Sequence, residues 1–251
     1  MKDSSVSLPD PVSLDPPGTA KPGDRGLAPL SFAQERLWFL DRWDPGNAAY
    51  NIPVVFRMTG ELNVEALRRS LEEILRRHEA LRTTFVEDNG QAIQRIAHEV
   101  QLDLELADLG NLTEGERREE AERRIAEESR QSFDLTRGPL FRGTLLRLGA
   151  RDHVLVLAMH HIVTDGWSLG VLYRELGALY ESFLKGGVSP LPPLPIQYAE
   201  YAVWQRQWLQ GDVLEKQLTY WKGQLEGLPV LDLPTDRPRP PMQSYRGKRR
   251  S

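Results

Sequence analysis

The stretch MHHIVTDGWS (residues 159–168) sets two histidines side by side at the end of an apolar run, Val154 to Met159, in a chain with five histidines in all. A short aliphatic run of this kind predicts a buried strand. Neighbouring side chains on a strand point to opposite faces, so His160 and His161 cannot address one ligand together. One faces the interior and the other leaves it. Gly166 follows where the backbone must turn sharply or let a substrate come close. Asp165, just past the strand end, can orient a ring or pair with an arginine. A strand that runs through a loop into a helix is a common place for chemistry. An imidazole, with its ordinary pKa of ~6.5, suits general-base work on an amine or alcohol.

A metal site is not indicated. His153 shares parity with His161, but eight residues separate them, and at ~3.3 Å per residue they cannot share an ion. His161 and Asp165 alone lack the third protein ligand of a catalytic zinc.

Outward from this stretch, the 251 residues are 40% hydrophobic and 27% charged, which is ordinary for a folded domain. A formal net charge of -4 gives no reason to expect nucleic acid or an anionic membrane as partner. The absence of cysteine removes disulfide and thiolate chemistry and fits a cytoplasmic location. The N-terminal MKDSSVSLPDPVSLDPP has no apolar core and is not a signal peptide. No apolar run reaches the ~20 residues of a transmembrane helix.

Residues 1–27, rich in Pro, Ser, Asp and Gly, predict a disordered leader or linker. SFAQERLWFLDRW begins the ordered part as a helix, with Ser31 as cap and Gln34 completing a capping box. Residues 52–60 predict a strand and 63–82 a helix whose apolar stripe ends on a structural His78. TTFVEDNGQAIQRI predicts a hairpin turning at Asn89-Gly90. Residues 101–106 alternate as a strand. Residues 113–131 predict a charged helix with a Thr113–Glu116 capping box, its charges a solvated face. LFRGTLLRL and HVLVLAMHH predict antiparallel strands about a turn at 149–152, and helices follow at 168–185, 197–210 and 212–226. Trp38, Phe39, Trp204, Trp208 and Trp221 fall at helical spacings and are expected in the core. Arg36 suits a solvated position or an active-site neighbour equally. Helices interleaved with mostly antiparallel strands give an α+β class, a sheet with helices packed on it.

MHHIVTDGWS resembles the His-His-x-x-x-Asp-Gly motif of the condensation domains of nonribosomal peptide synthetases, relatives of chloramphenicol acetyltransferase. Three further stretches occur in the family's order: SFAQERLWFL (31–40), RHEALRTTF (77–85) and YAEYAVW (198–204). The resemblance spans about residues 28–247. Trp167 preceding Ser168 separates the chain from epimerization domains, and the paired histidines separate it from heterocyclization domains. A peptide-bond-forming type fits best.

The resemblance implies a chloramphenicol acetyltransferase-like lobe over residues 28–226, with a tail, 227–251, leading toward a second lobe whose motifs have no counterpart here. It implies that His161 is catalytic and accepts a proton from, or orients, an attacking α-amine, with His160 supporting it by packing. Gly166 helps to place the thioester through its backbone, and Trp167 and Ser168 lie at the substrate. Asp165 is expected to be structural, in an ion pair for which Arg82 is the candidate partner. No cofactor or metal is implied within the chain. Substrates arrive on phosphopantetheine arms of donor and acceptor peptidyl carrier proteins, beside neighbouring synthetase domains. Two other readings stay open: an acyltransferase of the same superfamily acting on a small alcohol or amine, and a non-catalytic interaction module.

Overall fold

Two apolar strands and the tight turn between them form the centre of the fold. In the computed structural model, which describes residues 26–238, β6 (Phe141–Gly149) and β7 (Asp152–His160) pair antiparallel across the expected turn. Most of the expected leader, residues 1–25, and the end of the expected tail, residues 239–251, lie outside the described residues. β2 (Asn51–Thr59) covers the other edge of β7, antiparallel, with Asn51 opposite His160. β5 (Leu104–Asp108) completes the order β2-β7-β6-β5 and runs parallel to β6.

That one parallel pair departs from the antiparallel pattern of its neighbours, and the charged helix explains it. Parallel neighbours need a long crossover connection, and α3 (Glu114–Arg130) lies between β5 and β6. Its Thr113–Glu116 capping box is formed. Ala121 and Ile125 of α3 meet Leu146, Val154 and Val156 on one face of the sheet. The odd-numbered residues of β7, Leu155, Leu157 and Met159, enter the larger core on the other face. β7 is therefore buried on both faces, which is why its sequence is continuously apolar.

The larger core is closed by α2 (Val64–Arg77) and α4 (Gly166–Leu184), which pack on each other and on the sheet. The helix expected over 63–82 is shorter. It ends at Arg77, His78 is its C-cap, and a 3₁₀ turn (Glu79–Arg82) carries the chain into β3 (Thr83–Asp88). β3, β4 (Gln91–Ile96) and the short β1 (Leu27–Pro29) form a second antiparallel sheet, β1-β4-β3. The β3–β4 turn has Asn89 at φ 50° and Gly90 at φ 79°, the paired positive angles of a tight hairpin.

Two helices stand at the margin. α5 (Tyr198–Trp208) packs on β1 and the 3₁₀ turn, whereas α6 (Gly211–Leu225) has no buried residue. The expectation that the aromatics fill the core holds for Trp38, at 9% exposure, and fails for Phe39 and Trp221, at 60% and 55%. Helical spacing reports a common face, but a face is buried only if something packs against it. No described helix is long and apolar enough to cross a membrane.

Candidate active site

The end of β7 separates the two histidines as strand geometry requires. His160 is 3% exposed and sits between the rings of Tyr50 and Phe133, with centroids 6.4 and 6.3 Å away. Its Nδ1 accepts the backbone N–H of Ile162 at 3.1 Å, which shapes the turn after the strand. Burial, and then the neighbouring His161, push its pKa down to about 4, so the ring is neutral at pH 7. His160 packs in the core and shapes the loop.

His161 takes the exposed side. Its backbone N–H donates to Tyr50 at 2.8 Å, and its Nδ1 lies 2.7 Å from the carbonyl oxygen of Thr164. A carbonyl only accepts, so Nδ1 carries the proton and the lone pair of the neutral ring is left on Nε2. The loop thereby selects one tautomer and presents a single basic nitrogen.

Asp165 does not make the expected ion pair with Arg82. It is the N-cap of α4, accepting the Ser168 backbone N–H at 2.8 Å and the Ser168 hydroxyl at 2.7 Å. These bonds to Ser168 hold its carboxyl below the usual range. Arg82 is turned away by the 3₁₀ geometry of residues 79–82 and donates to the Ala97 carbonyl and to Glu79, 3.2 Å away. The spacing Asp165-x-x-Ser168 is a capping signal that sequence reasoning passed over.

The sharp turn expected at Gly166 is not found. Gly166 is the first residue of α4, it is not among the positive-φ glycines, and an added Cβ would meet nothing within 4 Å. No sharp turn demands it. The space above its backbone is open. Trp167 is 86% exposed and, with Ser168, borders the same groove as His161.

That groove has a volume of about 890 Å³ and runs between α1 (Phe32–Trp43), α4, the end of α2 and the start of α5. Arg36, His78, His161, Asp165 and Tyr198 supply its polar groups, and Leu37, Val171 and Leu194 are among its apolar ones. A second hollow beside His160, Tyr50 and Asp41 holds about 30 Å³, room for about two waters.

The four stretches singled out in the sequence converge on the groove. Gln34, 1% exposed, completes the capping box of α1 and also donates to Gln94, at 3.2 Å, and to the Ile162 carbonyl, at 3.4 Å. The histidine loop is thus tied directly to the first motif. The Ser31 hydroxyl meets the Tyr198 hydroxyl at 2.9 Å, and Arg206 bonds Leu30 and Glu35, which fastens α5 to α1. Burial pushes the Tyr198 phenol up. In the second motif Arg77 and His78 both reach Glu175 of α4, and Gln197 bonds the Arg77 carbonyl and the Glu79 N–H. Glu175 escaped sequence reasoning. Its signal was its place between Leu172 and Leu179, a carboxylate at core spacing on an apolar helix face.

Comparison with known proteins agrees with this convergence. Residues 24–251 match the family model of the condensation domain. The chain is 51% identical over 223 residues to a linear gramicidin synthase polypeptide of Brevibacillus parabrevis, covering 88% of this chain and 3% of that protein. Among solved structures it is similar to the X-domain of teicoplanin biosynthesis in a complex with OxyB, with a TM-score of 0.74 and 33% identity over 89% of this chain and 48% of the other. The starter condensation domain of rhizomide synthetase, at 20% identity and a TM-score of 0.71, shares the fold and likewise is covered over 49% of its length. The chain therefore spans about half of these structures and a small fraction of the synthetase.

Proposed function

The chain belongs to the condensation-domain family, and from that premise we propose that it supplies the histidine-bearing lobe of a domain that forms amide bonds between carrier-bound aminoacyl or peptidyl thioesters. The observation that carries the proposal is the fixed tautomer of His161, with Nδ1 held by Thr164 and Nε2 left as the basic nitrogen beside a groove built from all four motifs.

In the proposed reaction the acceptor's α-amine attacks the donor's thioester carbonyl. The C–N bond forms, the C–S bond breaks, and the thiolate leaves on the donor arm. The amine loses a proton, which Nε2 of His161 takes up and returns to the departing sulfur. A free α-amine has a pKa of ~7.7–8.0, so a useful neutral fraction exists at pH 7. A placed base contributes ~10²–10⁴-fold, whereas alignment of two reactants supplies ~7–11 kcal/mol. Positioning is the larger contribution, and His161 acts as orienting group as well as base. Asp165 fixes the start of α4, and the open backbone at Gly166 leaves room for the thioester, with Trp167 and Ser168 at the rim.

The substrates come on phosphopantetheine arms of donor and acceptor carrier proteins, with no cofactor of the chain's own, in the cytoplasm and beside other synthetase domains. A second lobe closes the groove. The lobe alone is expected to give no amide product. The test is to load two carriers with different aminoacyl groups and look for the joined product by mass spectrometry, with and without a second lobe supplied. Product only when the second lobe is present supports the proposal.

A second reading, an interaction module without turnover, is favoured by one observation: a structural relative in this family is described in a complex with OxyB. It predicts binding of a partner that is indifferent to His161→Ala and no amide product under either condition.

A further inference from the structure

Two imidazoles line the groove, and each is pinned through one ring nitrogen. His161 gives Nδ1 to Thr164. His78, the C-cap of α2, sets Nε2 at 2.7 Å from a carboxylate oxygen of Glu175. Glu175 is 8% exposed, and Arg77 holds the same carboxylate at 3.1 and 3.2 Å. Both oxygens of this carboxylate already accept from Arg77, and Nε2 of His78 adds a further donor, so Nε2 carries the proton. In the neutral ring Nδ1 then keeps the lone pair. Among the described residues Nδ1 of His78 has no hydrogen-bond partner and is not one of their buried unpartnered atoms, so it is accessible on a residue that lines the groove.

A clamp between α2 and α4 needs only Arg77 and Glu175. A third group that spends one nitrogen on the buried carboxylate and leaves the other open is the arrangement by which a carboxylate fixes an imidazole for a ligand. Resting on the amide-forming function above, we propose that His78 is a second substrate-binding residue, whose Nδ1 accepts an amide N–H of the thioester-bearing arm. Glu175 is its positioning residue, selecting the tautomer. The two histidines divide the work: His161 meets the reacting amine, and His78 holds the arm that delivers the acyl group.

The test uses the 251-residue chain labelled with ¹⁵N-histidine, with S-acetyl-pantetheine as the probe. In the free protein, His78 should give the spectrum of a ring protonated at Nε2. Titration with the probe should move Nδ1 of His78 together with Nε2 of His161. His78→Phe keeps the ring and removes both nitrogens. It should raise the half-saturating probe concentration about five- to tenfold, the worth of one ordinary hydrogen bond. A His78 signal that stays fixed while His161 moves, or half-saturation unchanged in His78→Phe, would overturn the inference and leave the amide-forming function standing. If neither histidine responds at high probe concentration, the arm does not bind between them and the inference falls, while product formation with the second lobe supplied still decides the amide-forming function.

Discussion

Nδ1 of His161 and the carbonyl oxygen of Thr164 lie 2.7 Å apart, closing a small ring within the loop between β7 and α4. This contact, rather than a carboxylate partner, decides which nitrogen of His161 is basic. It depends on the backbone path through Ile162 and Val163, and that path is held by Gln34 from α1 and by His160 from beneath.

Gln34 therefore matters beyond its helix cap. Gln34→Leu removes the bonds to Gln94 and Ile162 and leaves buried polar groups unpaired, which costs about 1–3 kcal/mol. The expected outcome is a lower Tm together with a disturbed His161 tautomer in the ¹⁵N spectrum. A variant with wild-type stability and an unchanged His161 spectrum would show that the tie is idle.

Asp165 should behave as a helix cap. Asp165→Ala is expected to lose about 1 kcal/mol, and Asp165→Asn much less, because asparagine caps as well as aspartate. Denaturant unfolding of the two variants decides it. A loss of several kcal/mol in Asp165→Asn would instead signal a buried ion pair.

Glu175, which holds Arg77 and His78 behind the groove, should be a more sensitive carboxylate than Asp165. Its side chain and that of Arg77 are 10% and 9% exposed. Glu175→Ala strands a buried guanidinium, which costs about 3–5 kcal/mol. Replacing both partners with apolar residues of similar size should recover much of that loss in a double-mutant cycle. A double variant whose loss equals the sum of the two single losses would mean that the pair is not coupled.

His160 gives the fold an acid-sensitive element. Its folded pKa is pushed down to about 4 from an ordinary value of 6.5, so the unfolded chain takes up a proton that the folded chain refuses. The stability gained from a neutral His160 is complete above pH 6.5, falls as pH drops toward 4 and levels off below it, a change of about 3 kcal/mol. His160→Phe should flatten that part of the stability–pH curve. An unchanged slope in the variant would move the acid sensitivity elsewhere.

Much of this was legible in the sequence because local rules were at work. The apolar runs and turn of β6 and β7, the Asn89-Gly90 hairpin and both capping boxes are decided within a few residues. The opposed faces of His160 and His161 followed from strand geometry alone. What was not legible depended on residues far apart in the chain. Arg82 was matched to Asp165 through the resemblance, but the 3₁₀ turn after His78 directs it to Ala97 and Glu79, while Asp165 meets its needs locally at Ser168. Glu175 and Tyr198 acquire meaning only when α4 and α5 are brought against α2 and α1. The parallel β5–β6 pair was missed because a charged helix does not announce that it is a crossover.

The most direct measurement is the rate of amide formation between two aminoacyl-loaded carrier proteins, with this chain joined to a second lobe, comparing His161 with His161→Ala by mass spectrometry of the product. If Nε2 of His161 is the base, the variant should be slower by at least ~10²-fold while remaining folded. A variant within about threefold of the parent, far less than a lost base removes, would contradict the assignment and leave positioning alone to explain the reaction.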